Sequence, residues 1–241
     1  MSRALAIAGR EFRASLTSPL GYVFLLLFVL ATLLVFFFFE GFFGANQATA
    51  RGLFRWLPPL LLFVTPALTM RLWADERKMG TYEILTTLPV TPWQLVWGKF
   101  LAAFGLLAFA LALTIGAPIV ADVYGDLDWG PVVGGYIGAL LLGSAYLAIG
   151  LVCSMLVQEQ LLALFLGFLL CGVTLLPDIA LRSGWVGDSM AEFCAQFGFW
   201  ARFASIERGV LDLRDLAFYL SATGFFLYVN VALLRWRRFT T

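Results

Sequence analysis

Six long apolar runs constrain what this chain can fold into more than any other feature. A hydrocarbon core holds no water, so only helices and closed barrels keep their backbone groups paired while crossing it. A spanning helix needs about 20 mainly apolar residues. Runs of that length extend from about Leu20 to Phe39, Leu53 to Leu72, Trp93 to Ala121, Pro131 to Val157, Leu161 to Leu181 and Leu216 to Leu234. They predict an all-α membrane protein with six transmembrane helices, residues 1–241 forming a single membrane domain. A charged content of only 13% agrees, since a soluble domain carries about a quarter. Pro58, Pro59 and Pro66 lie in the second run, which is therefore expected to kink or to begin late.

Several chemistries are poorly supplied. Histidine is absent, which removes the usual general base and the commonest metal ligand. Cys153, Cys171 and Cys194 form no C-x-x-C pair. They read as buried apolar thiols, and neither a metal site nor a disulfide framework is expected. A net charge of +1 offers no basic surface for nucleic acid. The first apolar run is too long for the core of a cleavable signal, and neither Ser2 nor the Phe239-Thr240-Thr241 end fits a lipidation pattern.

Charge placement orients the chain. With six spans both termini share a side with Arg3, Arg10, Arg13, Arg71, Arg77, Lys78, Lys99, Arg235, Arg237 and Arg238. Only Glu11, Asp75, Glu76, Glu83 and Glu159 accompany them. Arg51, Arg55, Arg182, Arg202, Arg208 and Arg214 fall opposite, with all the remaining acids. The basic excess predicts that both termini are cytoplasmic, in a cytoplasmic (inner) membrane.

Residues 3–16 read as an amphipathic helix, with Leu5, Ala8, Phe12 and Leu16 on one face and Arg3, Arg10 and Arg13 on another. An interfacial helix in the inner headgroup layer and an ordinary juxtamembrane anchor are both open. In the fourth run Gly134, Gly138 and Gly143 recur at a spacing that lets helices approach closely, within the subunit or between subunits. Between the fifth and sixth runs, Phe193, Phe197, Trp200, Phe203 and Ile206 fit short helices at the outer leaflet, or a small cap on the helix tops.

The stretch from Arg71 to Gln94 is the one long polar insertion on the inner side. Asp75, Glu76, Arg77 and Lys78 make a mixed charge cluster, and Gly80-Thr81 provides a stop followed by a cap. Residues 82–88 then allow about two helical turns before Pro89 ends them. Thr91-Pro92-Trp93-Gln94 fits a capping box with proline at the first helical position. A short helix held across the base would suit docking into a cytoplasmic partner; a plain connecting loop is equally open.

The G-T-x-E-x-L-x-x-L-P-V core (Gly80, Thr81, Glu83, Leu85, Leu88, Pro89, Val90) and the following Gly98-Lys99 resemble permease subunits of type-2 ABC transporters. Residues 8–13 with Ser18, Pro19 and Tyr22 resemble that family's N-terminal helix and first span, and residues 203–216 are similar to its gliding-motility-type branch. The resemblance covers essentially the whole chain in order. It implies six spans, an N-terminal helix along the inner surface, and a coupling helix between spans two and three that seats in a cytoplasmic ABC ATPase. It assigns Asp75, Glu76, Arg77, Gly80, Thr81, Glu83, Leu85 and Leu88 to ATPase docking. Glu207, Arg208, Gly209, Asp212, Arg214 and Asp215 become an outer segment entering the last span. Further partners implied are a second permease copy or a related subunit and, in that branch, a membrane-anchored protein with a large extracytoplasmic domain. ATP and Mg would be bound by the ATPase, because Gly98-Lys99 followed by Phe100 is no phosphate loop. No catalytic residue, metal or cofactor is expected in this chain.

An intramembrane enzyme is disfavoured, because the runs offer mainly Thr, Ser, Cys, Tyr and a lone Asn230, with Glu40 and Asp178 at outer ends. A non-ABC transporter, a channel or an assembly scaffold is the alternative. A lipid-linked molecule, a peptide or force on an extracytoplasmic partner are all compatible as cargo.

Overall fold

The computed structural model describes residues 2–40, 49–80, 90–183, 198–209 and 212–238, and among these every regular element is helical. Helix α1 (Ser2–Thr17) leads into α2 (Pro19–Leu34), which widens into a π-helical turn at Val35–Phe39. Then follow α3 (Arg51–Lys78), α4 (Pro92–Leu113), α5 (Gly116–Tyr124), α6 (Trp129–Leu156) and α7 (Gln160–Val173). The chain ends with α8 (Leu176–Ser183), α9 (Phe199–Glu207) and α10 (Leu213–Arg238).

Local chemistry sets the starts. Ser18 Oγ accepts the Gly21 N–H at 3.0 Å and Pro19 takes the first position of α2, so the break after α1 is a cap as predicted. Thr91 and Gln94 make a complete capping box before α4. Asp128 caps α6 through the Gly130 N–H.

Among the described residues, five helices are long and apolar enough to cross a membrane: Gly21–Phe39, Arg51–Lys78, Pro92–Tyr124, Trp129–Leu156 and Leu213–Trp236. The fifth predicted run differs. The 14 residues of α7 stop where Thr174 Oγ1 turns back onto the Cys171 carbonyl at 2.6 Å, and α8 restarts with Pro177 in its first turn. The second run differs too. It begins at Arg51 rather than late, and it continues to Lys78, so the charge cluster at Asp75–Lys78 is helical.

Helix α6 is the centre: 83% of its apolar window is buried, against 22% for α2 and 28% for α10, the burial expected of helices facing lipid. Its small residues admit neighbours from the same chain. A Cβ on Gly134 would lie 2.7 Å from the Ile206 carbonyl oxygen, Gly138 touches Phe203 and Ile206, and Gly143 receives Leu107. Helix α1 rests along α4, Ile7 against Gly98 and Phe12 against Gly105. Its packed face is rotated from the predicted one, since Leu5 is 58% exposed and Ile7 takes its place. One end of the bundle, the base, gathers α1, the ends of α3 and α6 and the starts of α4 and α7. The far end holds the starts of α3 and α6, with α8 and α9.

Candidate functional site

The second turn of α4 carries Lys99 into the bundle, where it is 1% exposed. Its ammonium donates to Glu76 Oε1 at 2.6 Å and to the Leu72 carbonyl at 2.5 Å, and lies 4.7 Å from the centre of the Trp73 ring. All three partners belong to α3. A charge taken out of water needs such compensation on every side.

The neighbouring residues of α3 reach other helices. Arg71 donates to Asp75 at 3.3 Å and to Ser18 Oγ at 3.0 Å, and Asp75 also accepts from the Gln160 amide. Arg77 donates to the Met155 carbonyl at 2.9 Å, and Lys78 pairs with Glu159 at 3.2 Å on the surface. Ser154 of α6 donates to the Met70 carbonyl at 2.8 Å and accepts from the Trp73 and Ala74 N–H groups, both at 3.2 Å. An α-helix joins Ala74 N–H to Met70 C=O, so this hydroxyl bonds both the donor and the acceptor of one rung of α3. The last two turns of α3 are therefore a hub bound to α2, α4, α6 and the start of α7. Beside it a cavity of about 300 Å³ opens between α1, α2 and α3, lined by Glu11, Ser15, Ser18, Arg71, Asp75 and Glu76.

Past the hub, Met79 is exposed and Gly80 adopts φ +71°, a left-handed conformation that favours glycine. Thr81, Glu83, Leu85 and Leu88 lie outside the described residues. The chain returns through Thr91 into α4, with Lys99 two turns further on. The 79–91 segment thus leaves and re-enters the same hub.

The outer set of predicted residues sits at the far end, separate from the base. Glu207 closes α9, and Arg208 and Gly209 (φ +86°) turn the chain against Gly130, Pro131 and Gly134 of α6. Asp212 caps α10, accepting the Arg214 N–H at 3.0 Å, and Asp215 pairs with Arg202 at 2.7 Å. Asp178 of α8 accepts the Trp200 and Ala201 N–H groups at 3.1 and 2.8 Å, holding the start of α9. Tyr219 donates to the Phe199 carbonyl at 2.6 Å. These contacts fasten the entry of the last long helix.

A sequence model described as ABC-2 family transporter protein matches residues 41–181, more than half of the chain. This chain belongs to the ABC-2 transporter family. The match includes α3, the segment after it, α4 and α6, and hence the whole hub apart from Ser18. The ABC-2 protein is accordingly a multi-pass membrane transport component. A comparison with curated proteins found no match.

Charge placement groups Lys99 of this ABC-2 member with the basic residues on the side of the termini, yet it is buried. The signal was available: Lys99 is a single cation inside the apolar run from Trp93, and an ionisable group at such a position calls for a partner. Ser154 and Gln160 carry no pattern of their own and emerge only from the packing.

Proposed function

We propose that this protein is the permease subunit of an ATP-driven transporter in the cytoplasmic (inner) membrane. A separate cytoplasmic ABC ATPase docks on the segment that includes Gly80, Thr81, Glu83, Leu85 and Leu88, while Asp75, Glu76 and Arg77 of the same docking set belong to the hub that segment leaves; both termini face the cytoplasm, and hydrolysis drives export or conformational work on an extracytoplasmic partner. ATP and Mg stay with the ATPase. A second permease copy, or a related subunit, completes the pathway. The basic excess at the base supports the orientation, and the likeness of residues 203–216 to the gliding-motility-type branch supports a partner beyond the membrane.

One observation carries the reading: the segment assigned to docking leaves and re-enters a hub that ties α3 to four other elements. A push on that segment reaches the bundle through buried polar contacts rather than bending one helix end. Closure of the ATPase pair can shift the permease only through its different affinity for two permease states, and the hub supplies the connection. The test is ATP hydrolysis by the purified complex in nanodiscs, with Glu76→Gln and Lys99→Met beside wild type. Both variants should retain the ATPase but lose severalfold in permease-stimulated turnover. Full stimulation in both would remove the hub from the mechanism, and a wild-type chain that recovers no ATPase would contradict the subunit assignment.

A further inference from the structure

Helices α2 and α3 run antiparallel, joined at the base by Arg71 on Ser18 and at the far end by Trp56, whose indole N–H donates to Glu40 at 2.7 Å. The seam between them holds two cavities. The first is the chamber of about 300 Å³ at the base, where Gly21, Phe24, Leu68 and Leu72 join the polar lining. The second, of about 470 Å³, is lined only by apolar side chains of α2, α3 and α7. Phe24 lines both. On α2 the lining residues Gly21, Phe24, Phe28 and Ala31 recur three or four apart, and on α3 Leu60, Val64, Ala67, Arg71 and Asp75 do the same. Residues so spaced share one helix face, so the cavities lie end to end along a single seam.

The length and polarity of that seam match one leaflet. From Leu60 to Asp75 it extends about 22 Å at 1.5 Å per residue, and half of a bilayer is about 20–22 Å thick with its headgroups. Tyr22, Trp97 and Trp236 are exposed at the base, as aromatic side chains are at a membrane–water boundary. The chamber therefore stands at headgroup level and the groove at acyl-chain level, where exposed Leu27 and Phe165 open it to the bilayer.

The charges of the chamber are balanced. Arg71 meets Asp75 at 3.3 Å, Lys99 meets Glu76 at 2.6 Å and Arg10 meets Glu11 at 3.0 Å. A headgroup with a net charge would upset that balance, whereas a zwitterion keeps it. Among the described residues Glu11 Oε2, Ser15 Oγ and Arg71 Nη2 make no hydrogen bond, which leaves an acceptor for an ammonium and donors for a phosphodiester. Choline has no N–H to give and is held by aromatic cages, and Phe24 is the one aromatic residue lining the chamber.

We infer that the α2–α3 seam binds one phosphatidylethanolamine molecule from the leaflet at the base, its headgroup in the chamber and an acyl chain in the groove. The site does not depend on ATPase docking.

Native mass spectrometry of the chain released from nanodiscs of equal phosphatidylethanolamine and phosphatidylcholine tests it. Wild type should retain severalfold more phosphatidylethanolamine than phosphatidylcholine. Glu11→Gln should lose that preference, and Ala31→Phe, which fills the groove, should retain severalfold less of the lipid. Both should melt as wild type does in phosphatidylcholine alone, which separates lost binding from lost folding. Equal retention of the two lipids by wild type overturns the site. Unchanged preference in Glu11→Gln overturns the headgroup assignment, and unchanged retention in Ala31→Phe overturns the place of the acyl chain.

Discussion

The burial of Lys99 makes the hub both strong and vulnerable. Its pair with Glu76 is 1% and 14% exposed on the two sides, so neither charge can fall back on water. Removing one partner of such a pair costs about 3–5 kcal/mol, because the other charge stays buried and uncompensated. Lys99→Met and Glu76→Leu should each destabilise by that amount, and the double variant by clearly less than the sum. Unfolding in one detergent, run as a double-mutant cycle, reads this coupling; additive losses would show that the two do not act as a pair. Asn230 is the opposite case. It is fully buried on α10, and neither its oxygen nor its nitrogen has a hydrogen-bond partner among the described residues. Asn230→Leu should therefore stabilise by about 1–3 kcal/mol, whereas a lower melting temperature would mean that the amide is paired. Lys99 was legible as a lone cation in an apolar run. Its choice of Glu76, out of a cluster that also holds Asp75, was not, because helix phase across two chain segments decides it.

Helices were largely legible as apolar runs, and their errors have physical causes. Asp75–Lys78 looked like loop because four consecutive charges normally mark solvent. The helix of α3 continues through them because other helices accept three of the four side chains and Glu159 meets the last. The run from Leu161 looked continuous because hydropathy does not register the turn at Thr174. The small residues of α6 were visible as a pattern but not their partners. Gly134 faces backbone, the Ile206 carbonyl oxygen at 2.7 Å from an added Cβ, and backbone cannot swing aside. Gly134→Ala should destabilise by about 1–3 kcal/mol through overpacking. Gly224 on α10 meets nothing within 4 Å, so Gly224→Ala should be neutral or stabilise by up to about 1 kcal/mol. Melting of the two variants side by side checks the packing; the reverse order would contradict it.

For the whole molecule, charge placement sorts the basic residues between two ends, but the contacts that fasten the far end, Asp178 on the start of α9 and Asp215 on Arg202, come only from the packing. The site at the base was half readable. The insertion and its capping box stand out in the sequence, and the proposed ATP-driven role rests on the resemblance centred on residues 75–90. The hub itself, with Ser154 bonded to the backbone of α3 and Gln160 on Asp75, needed tertiary structure, since those partners lie some 80 residues apart in sequence. Engagement of the base beside this hub by the motor is the central element of the proposed function. A photo-cross-linking residue at Met79, 69% exposed at the end of α3, and another at Leu213, 76% exposed at the far end, test that directly in intact membranes. An adduct is expected between position 79 and a nucleotide-binding ATPase subunit, and none from position 213. An ATPase adduct from position 213, or none from position 79, would contradict it.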